Sequence, residues 1–382
     1  MTDLEESFRL LFEMNMGIQQ GERIVVFSDA IRPDETLSTE EQHRRSRLHE
    51  MATALAGFAE SQYGNAGFIS FPATTASGAE PPETLWYTVF GANILSLLVK
   101  EGLLSRLLAK EATRSDLEKA KEVVRGAREA VADVVIALAN NSTSHTTFRA
   151  LVNEAGGRFA SLPHFDPDMF YTSMRVDWQA LADRTARLAA EINRAESILI
   201  ETTNGTNLHL SKKGRTAAGD DGLLHAPGSF GNLPAGEVYL APLECTTEGV
   251  MVIEYAPNRK LASPLSLVVK EGNVVEIVGH EPYKFILEQT FAENAKNRNI
   301  AELGIGTNDR ATRPDNILEA EKILGTIHIA LGDNSGFGGT VKTPFHEDYV
   351  FYEPTVTAVF PDGTQRKILY QGALSLSPEI FS

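Results

Sequence analysis

The sequence predicts two domains: an N-terminal α/β domain with an open, mostly parallel sheet over residues 1–195, and a β-rich α+β domain over residues 196–382. Three observations carry this. At 382 residues the chain is long for one domain. In the first half, short β-branched runs alternate with long helical periods, the pattern of a parallel sheet. Near residue 195 that texture gives way to short strands joined by turn residues.

The elements follow in order. Thr2-x-x-Glu5 reads as a capping box for a helix whose apolar stripe is Leu4, Phe8, Leu11 and Phe12. RIVVFS (23–28) and GFISF (67–71) are strand candidates on either side of a helical stretch, 40–59. Helical period continues over 84–110 and 115–131, and DVVIALAN (133–140) is the clearest buried strand of the first half. A helix at 145–154, a strand at 158–162 and a helix at 177–193 complete it. In the second half, Asn204-Gly205 between two apolar runs suits a tight primed turn, and Glu271-Gly272-Asn273 marks another hairpin. Further strands are expected at 237–240, 250–255, 264–269, 274–278, 300–305, 323–331, 345–352 and 356–360, with a helix at 283–297.

Composition narrows the function. The net charge of −16 argues against nucleic acid or an anionic membrane as partner and leaves peptides, small molecules or metal cations. A single cysteine, Cys245, rules out an internal disulfide. The acidic N-terminus lacks signal-peptide character, and no apolar run reaches membrane-spanning length, so a cytoplasmic location is expected. Neither G-x-G-x-x-G after a strand, nor G-x-x-x-x-G-K-[ST], nor H-E-x-x-H is present.

The sharpest chemical signal is GTIHIALGDNSGFGGTVKTPFHEDY (325–349). Strand alternation lifts His328 away from Ile327, Ile329 and Leu331, and puts His346 and Asp348 on one face with Tyr349 on the other. Glu302 lies opposite Ala301, Leu303 and Ile305, beside Gly304 and Gly306, which would leave room for an ion or a substrate backbone. Glu237 begins a strand after a Pro-Gly-containing turn. These three carboxylates and two neutral imidazoles carry minus three. Two divalent cations would bring plus four, enough to hold a hydroxide; the mixed O/N set suits zinc, cobalt or manganese. The bland alternative for each is a solvated strand face or a structural histidine. His43, His49, His145, His164, His209, His225 and His280 have no partner at ligand spacing, and Ser144 and Cys245 lack a nucleophile elbow or a local base.

GTNLHLS (205–211), NLPAGEVYLAP (232–242), ELGIGTN (302–308), GTIHIALG (325–332), Gly338-Gly339 and HED (346–348) resemble the aminopeptidase T / aminopeptidase S family of dinuclear metallopeptidases. The resemblance implies an α/β N-terminal domain, a C-terminal metal domain and a homodimer. It also implies metal ligands at Glu237, Glu302, His328, His346 and Asp348, two divalent ions, and removal of N-terminal amino acids from peptides, with Glu302 or Glu237 moving the proton. The chain departs from that family at Ser335, where the pattern has a tyrosine near the metals. A related branch resembles ring-cleaving dioxygenases of hydroxypyridines, which bind one ferrous ion. There His328, His346 and Asp348 would form a two-His-one-carboxylate triad, and the position of Glu302 is a histidine. The expected activity is therefore a dinuclear aminopeptidase. The alternatives are the mononuclear dioxygenase and a metal-binding member without turnover.

Overall fold

The computed structural model describes residues 2–257 and 259–376. It forms two compact units, an α/β unit with a parallel sheet and a β-rich unit with two antiparallel sheets. The expected fold class is the observed one.

The first unit holds residues up to Arg175 together with Gly222–Pro234. Its sheet runs in the order Ala66–Pro72, Ile24–Ala30, Val134–Ala137, Arg158–Ser161, Phe230–Asn232, with every pairing parallel. Parallel strands need covering on both faces, which is why IVVF and VVIA are buried at every residue rather than at alternate ones. The capping box at Thr2 forms as expected, opening Asp3–Leu10. The helical period over 84–110 is interrupted. Gly91 (φ 77°) breaks Glu83–Lys100, and Gly102 (φ 64°) separates it from Leu104–Leu108, because only glycine enters that region without strain.

The second unit comprises Val176–Asp221 and the chain from Ala235 onward. The expected boundary at 195 is therefore corrected in two ways. Helix Trp178–Arg194 belongs here, because Leu188 and Ile192 bury into this unit's core. A short excursion then returns to the first unit, adding Phe230–Asn232 to its sheet edge. Three residues are too few to show a period, so this strand was invisible in the sequence.

One sheet of the second unit has eight strands, from Asn273–Val278 at one edge to Ala373–Leu374 at the other. Its first hairpin, Ser197–Glu201 with Asn207–Ser211, uses a wider loop than a primed two-residue turn. Thr202 N–H donates to Thr206 O, and only Gly205 (φ 105°) takes positive φ. The hairpin at Lys270–Asn273 is the tight primed form, with Glu271 (φ 48°) and Gly272 (φ 71°) both left-handed.

The other sheet has five strands in the order His346–Phe351, Ile327–Gly332, Ile300–Gly306, Glu237–Leu240, Ala218–Asp220, all antiparallel. Val238, Leu240, Leu303, Ile305, Ile327, Ile329, Leu331, Tyr349 and Phe351 form its apolar face and enter one core cluster. Each such side chain contributes about 1.5–3 kcal/mol on burial. Because side chains alternate along a strand, this core fixes the register and forces the intervening residues onto the opposite face.

Candidate metal centre

That opposite face carries the candidate ligands, and the register sets their geometry. Cross-strand pairing places Glu302, Ala330 and Asp348 on one rung. Gly332 and His346 form the rung on one side; Tyr239, Gly304, His328 and Val350 form the rung on the other. Glu302 therefore lies between the imidazoles. Its Oε2 is 3.4 Å from His346 Nε2 and its Oε1 3.6 Å from His328 Nε2. Asp348 Oδ1 is 3.6 Å from His346 Nε2, and Glu237 Oε2 is 3.4 Å from His328 Nε2.

Gly304 is required by this arrangement: a Cβ there would lie 1.9 Å from His328 Cε1. At Gly306 a Cβ would meet Ile323 O at 2.1 Å. The space expected beside Glu302 for an ion or a substrate backbone is thus taken by a histidine ring and by a neighbouring chain segment.

Two groups converge within ligand reach. One atom each of Glu302, His346 and Asp348 lie within 4.8 Å of one another, and so do atoms of Glu321, His328 and Asp348. The triad of His328, His346 and Asp348 does not form as such, because the two histidines sit on rungs either side of Asp348. Glu237 falls in neither group. Its Oε1 instead accepts from Lys322 Nζ at 2.6 Å, and the same ammonium donates to Glu321 Oε1 at 2.7 Å.

Glu321 and Lys322 are the residues that sequence reasoning missed. They lie in a turn following Ile317–Ala320, just ahead of the strand expected from 323, and Lys322 is 2% exposed. The charged run Glu319-Ala-Glu321-Lys322 reads as a solvated helix face. Only the close approach at Gly306 turns it inward.

His346 is oriented through its far nitrogen. Nδ1–H donates to the Asp333 carbonyl at 2.7 Å, leaving Nε2 toward the carboxylates, as a ligating imidazole needs. The Asp333 carboxylate accepts from Ser335 N–H, Ser335 Oγ and Thr343 N–H, which pins the Gly-rich loop. Ser335, where the aminopeptidase T pattern has a tyrosine, is engaged there and exposed. Tyr349 faces away, as its parity requires, and bonds to Glu347 and Tyr283.

The electrostatics ask for a cation. Burial opposes charge on His328, but Glu302, Glu237 and Asp348 outweigh it and push its imidazole up to about 10. His346 is held well above its ordinary value, against burial, by Asp348 and Glu302. Burial would raise Asp348 and Glu302, yet the imidazoles hold both below the usual carboxylate range. Burial raises Glu321 to about 7. Four carboxylates against one ammonium leave the imidazoles to hold protons that a divalent ion would displace.

Three buried atoms, Glu237 Oε2, His328 Nδ1 and Asp348 Oδ1, have no hydrogen-bond partner among the described residues. Such atoms and this oxygen-rich O/N set fit a divalent metal. None of the other histidines joins either group. Ser144 Oγ is occupied by Ser161 and Asn232, and Cys245 is exposed.

Residues 89–365 match the family model described as NicX: 2,5-dihydroxypyridine 5,6-dioxygenase. The chain belongs to this family. A curated 2,5-dihydroxypyridine 5,6-dioxygenase from Pseudomonas putida is 23% identical over 183 residues, 44% of this chain, and the match spans about half (52%) of that relative's length. The solved 2,5-dihydroxypyridine dioxygenase from Pseudomonas putida KT2440 superposes with a TM-score of 0.68 at 15% identity, covering 99% of both chains. AmpT from Thermus thermophilus superposes with a TM-score of 0.61 at 14% identity, covering 98% of this chain and 99% of that one. The resemblance to aminopeptidase T is therefore one of fold, and the NicX family is the one to which the sequence is matched. Among the described residues no helix is long and apolar enough to cross a membrane.

Proposed function

We propose that this NicX-family protein is a metal-dependent oxygenase. It would hold one ferrous ion on Glu302, His346 and Asp348 and open the ring of a hydroxylated pyridine or a related nitrogen heteroaromatic. The observation that carries this is the convergence of those three side chains within 4.8 Å, in a chain whose family is named for that reaction. The triad has one imidazole and two carboxylates, one nitrogen fewer than the usual two-His-one-carboxylate set, and remains a hard-ligand site suited to iron(II). Ferrous iron, when bound, supplies the redox chemistry that lets dioxygen react with an electron-rich ring.

The chain's own residues do the rest. Asp333 holds His346 in the tautomer that presents Nε2. Phe337 stands edge-on to His346 (centroids 5.9 Å, 88°) and to Tyr239 (6.0 Å, 81°), an aromatic wall against which a flat ring can pack. The His346 side chain is 33% exposed and His328 2%, so substrate enters on the His346 side. His328, within 3.6 Å of Glu237 and Glu302, carries a proton on its imidazole and can donate a charge-assisted hydrogen bond to the oxygen of a ring hydroxyl.

A second reading, hydrolysis of aminoacyl bonds with two ions, draws on the second group, Glu321, His328 and Asp348, which shares Asp348 with the first. One experiment separates the two. Protein reconstituted anaerobically with iron(II), and in parallel with zinc or manganese, is given 2,5-dihydroxypyridine while oxygen is followed, and aminoacyl anilides while amine release is followed. Oxygen uptake matched to loss of ring absorbance with iron supports the oxygenase. Amine release without oxygen uptake refutes it.

A further inference from the structure

We infer that Lys322 is a resident cation standing where a second metal ion would bind, and that it fixes the centre at one ion per chain. This rests on the proposed metal centre at Glu302, His346 and Asp348, though not on the reaction carried out there.

Glu237, Glu321, His328 and Asp348 would make an adequate second site. Glu321, His328 and Asp348 already meet within 4.8 Å, and Glu237 Oε2 lies 3.4 Å from His328 Nε2. Three carboxylates and an imidazole suit a divalent cation. Yet two of those carboxylates are engaged by the Lys322 ammonium, at 2.6 Å and 2.7 Å. An ion sharing Glu237 and Glu321 would have to sit beside that fixed positive charge, in a place where burial weakens screening.

Nor is the lysine free to leave. Lys322 N–H donates to Glu319 O at 3.0 Å, and its carbonyl accepts from Asn308 N–H at 2.8 Å. Asn308 Nδ2 in turn donates to Ala235 O at 2.9 Å, two residues before Glu237. Gly306 lets this segment lie against the strand, since a Cβ there would come within 2.8 Å of Lys322 C. The backbone therefore delivers the ammonium to the site as part of the fold. A surface lysine paired by chance would be mobile and screened; this one is buried and held at both its backbone and its tip.

The test counts ions. Wild type, Lys322→Met and Lys322→Arg are dialysed to equilibrium against manganese and analysed by mass spectrometry, with folding followed by circular dichroism. We expect one ion in wild type and in Lys322→Arg and two in Lys322→Met, with the second lost again in Lys322→Met/Glu321→Gln. Two ions in wild type, or one in a folded Lys322→Met, overturns the inference. Should Lys322→Met not fold, Lys322→Gln, which keeps a neutral donor, reads the same count. No ion in any variant overturns both the inference and the metal centre. A second ion gained in a protein that never consumes oxygen leaves the inference standing and removes the proposed reaction.

Discussion

Glu302 and Asp348 share one rung of the five-stranded sheet with only Ala330 between them. Two strand spacings separate their backbones by about 10 Å, and two acidic side chains leaning over a methyl group close that gap. The proposed metal triad therefore depends on a residue that carries no ligand atom.

Ala330→Val places extra methyl groups in the line between the carboxylates while keeping a good strand former. We expect affinity for the metal to fall about tenfold or more, comparable to loss of a ligand-orienting partner, with a stability cost of about 1–3 kcal/mol from overpacking. Titration with manganese on folded protein checks this; an unchanged affinity would show that the rung does not set the triad.

Gly304→Ala tests the packing of His328. The new Cβ would stand 1.9 Å from the ring, which must move. A loss of about 1–3 kcal/mol is expected in thermal or urea unfolding. Gly336→Ala, whose Cβ meets nothing within 4 Å, is the control and should lie near wild type.

The pH dependence has opposite signs with and without metal. In the metal-free protein His328 titrates at about 10, above its ordinary 6.5. Its charged form thus contributes stability that is fully present below pH 6.5 and lost as pH rises through about 10. Melting temperature of the chelator-treated protein should fall across that window, and less steeply in His328→Gln. Metal affinity should rise over the same window, because the ion displaces the protons. Parallel rather than opposed slopes would mean that the imidazoles do not hold them.

Tyr349→Phe separates the two faces of the strand. The hydroxyl bonds to Glu347, and lies 3.1 Å from the Tyr283 hydroxyl, on the side away from Asp348. Stability should drop by about 1 kcal/mol, with metal content and turnover unchanged. A tenfold fall in kcat with the fold intact would place this tyrosine in the site.

The strand period alone placed His328, His346, Asp348 and Glu302 on polar faces and turned Tyr349 inward. It could do so because side-chain direction follows from parity, a local property of the backbone. The change near residue 195 was legible for a similar reason: alternating helices and strands and a run of short strands bury different patterns of side chains. The tertiary structure decided what lies beyond parity. Registers between strands put Asp348 and Glu302 on one rung and the histidines on opposite sides of it, dividing the triad of the alternative reading between two groups. A close chain approach over Gly306 carried Glu321 and Lys322 into a site where their own sequence reads as solvent-facing. That approach depends on contacts between segments distant in the chain, and charge patterning carries no record of which charges will be buried. Which residues could bind a metal was written locally; which of them meet, and what cation already stands among them, was fixed only when the sheets packed.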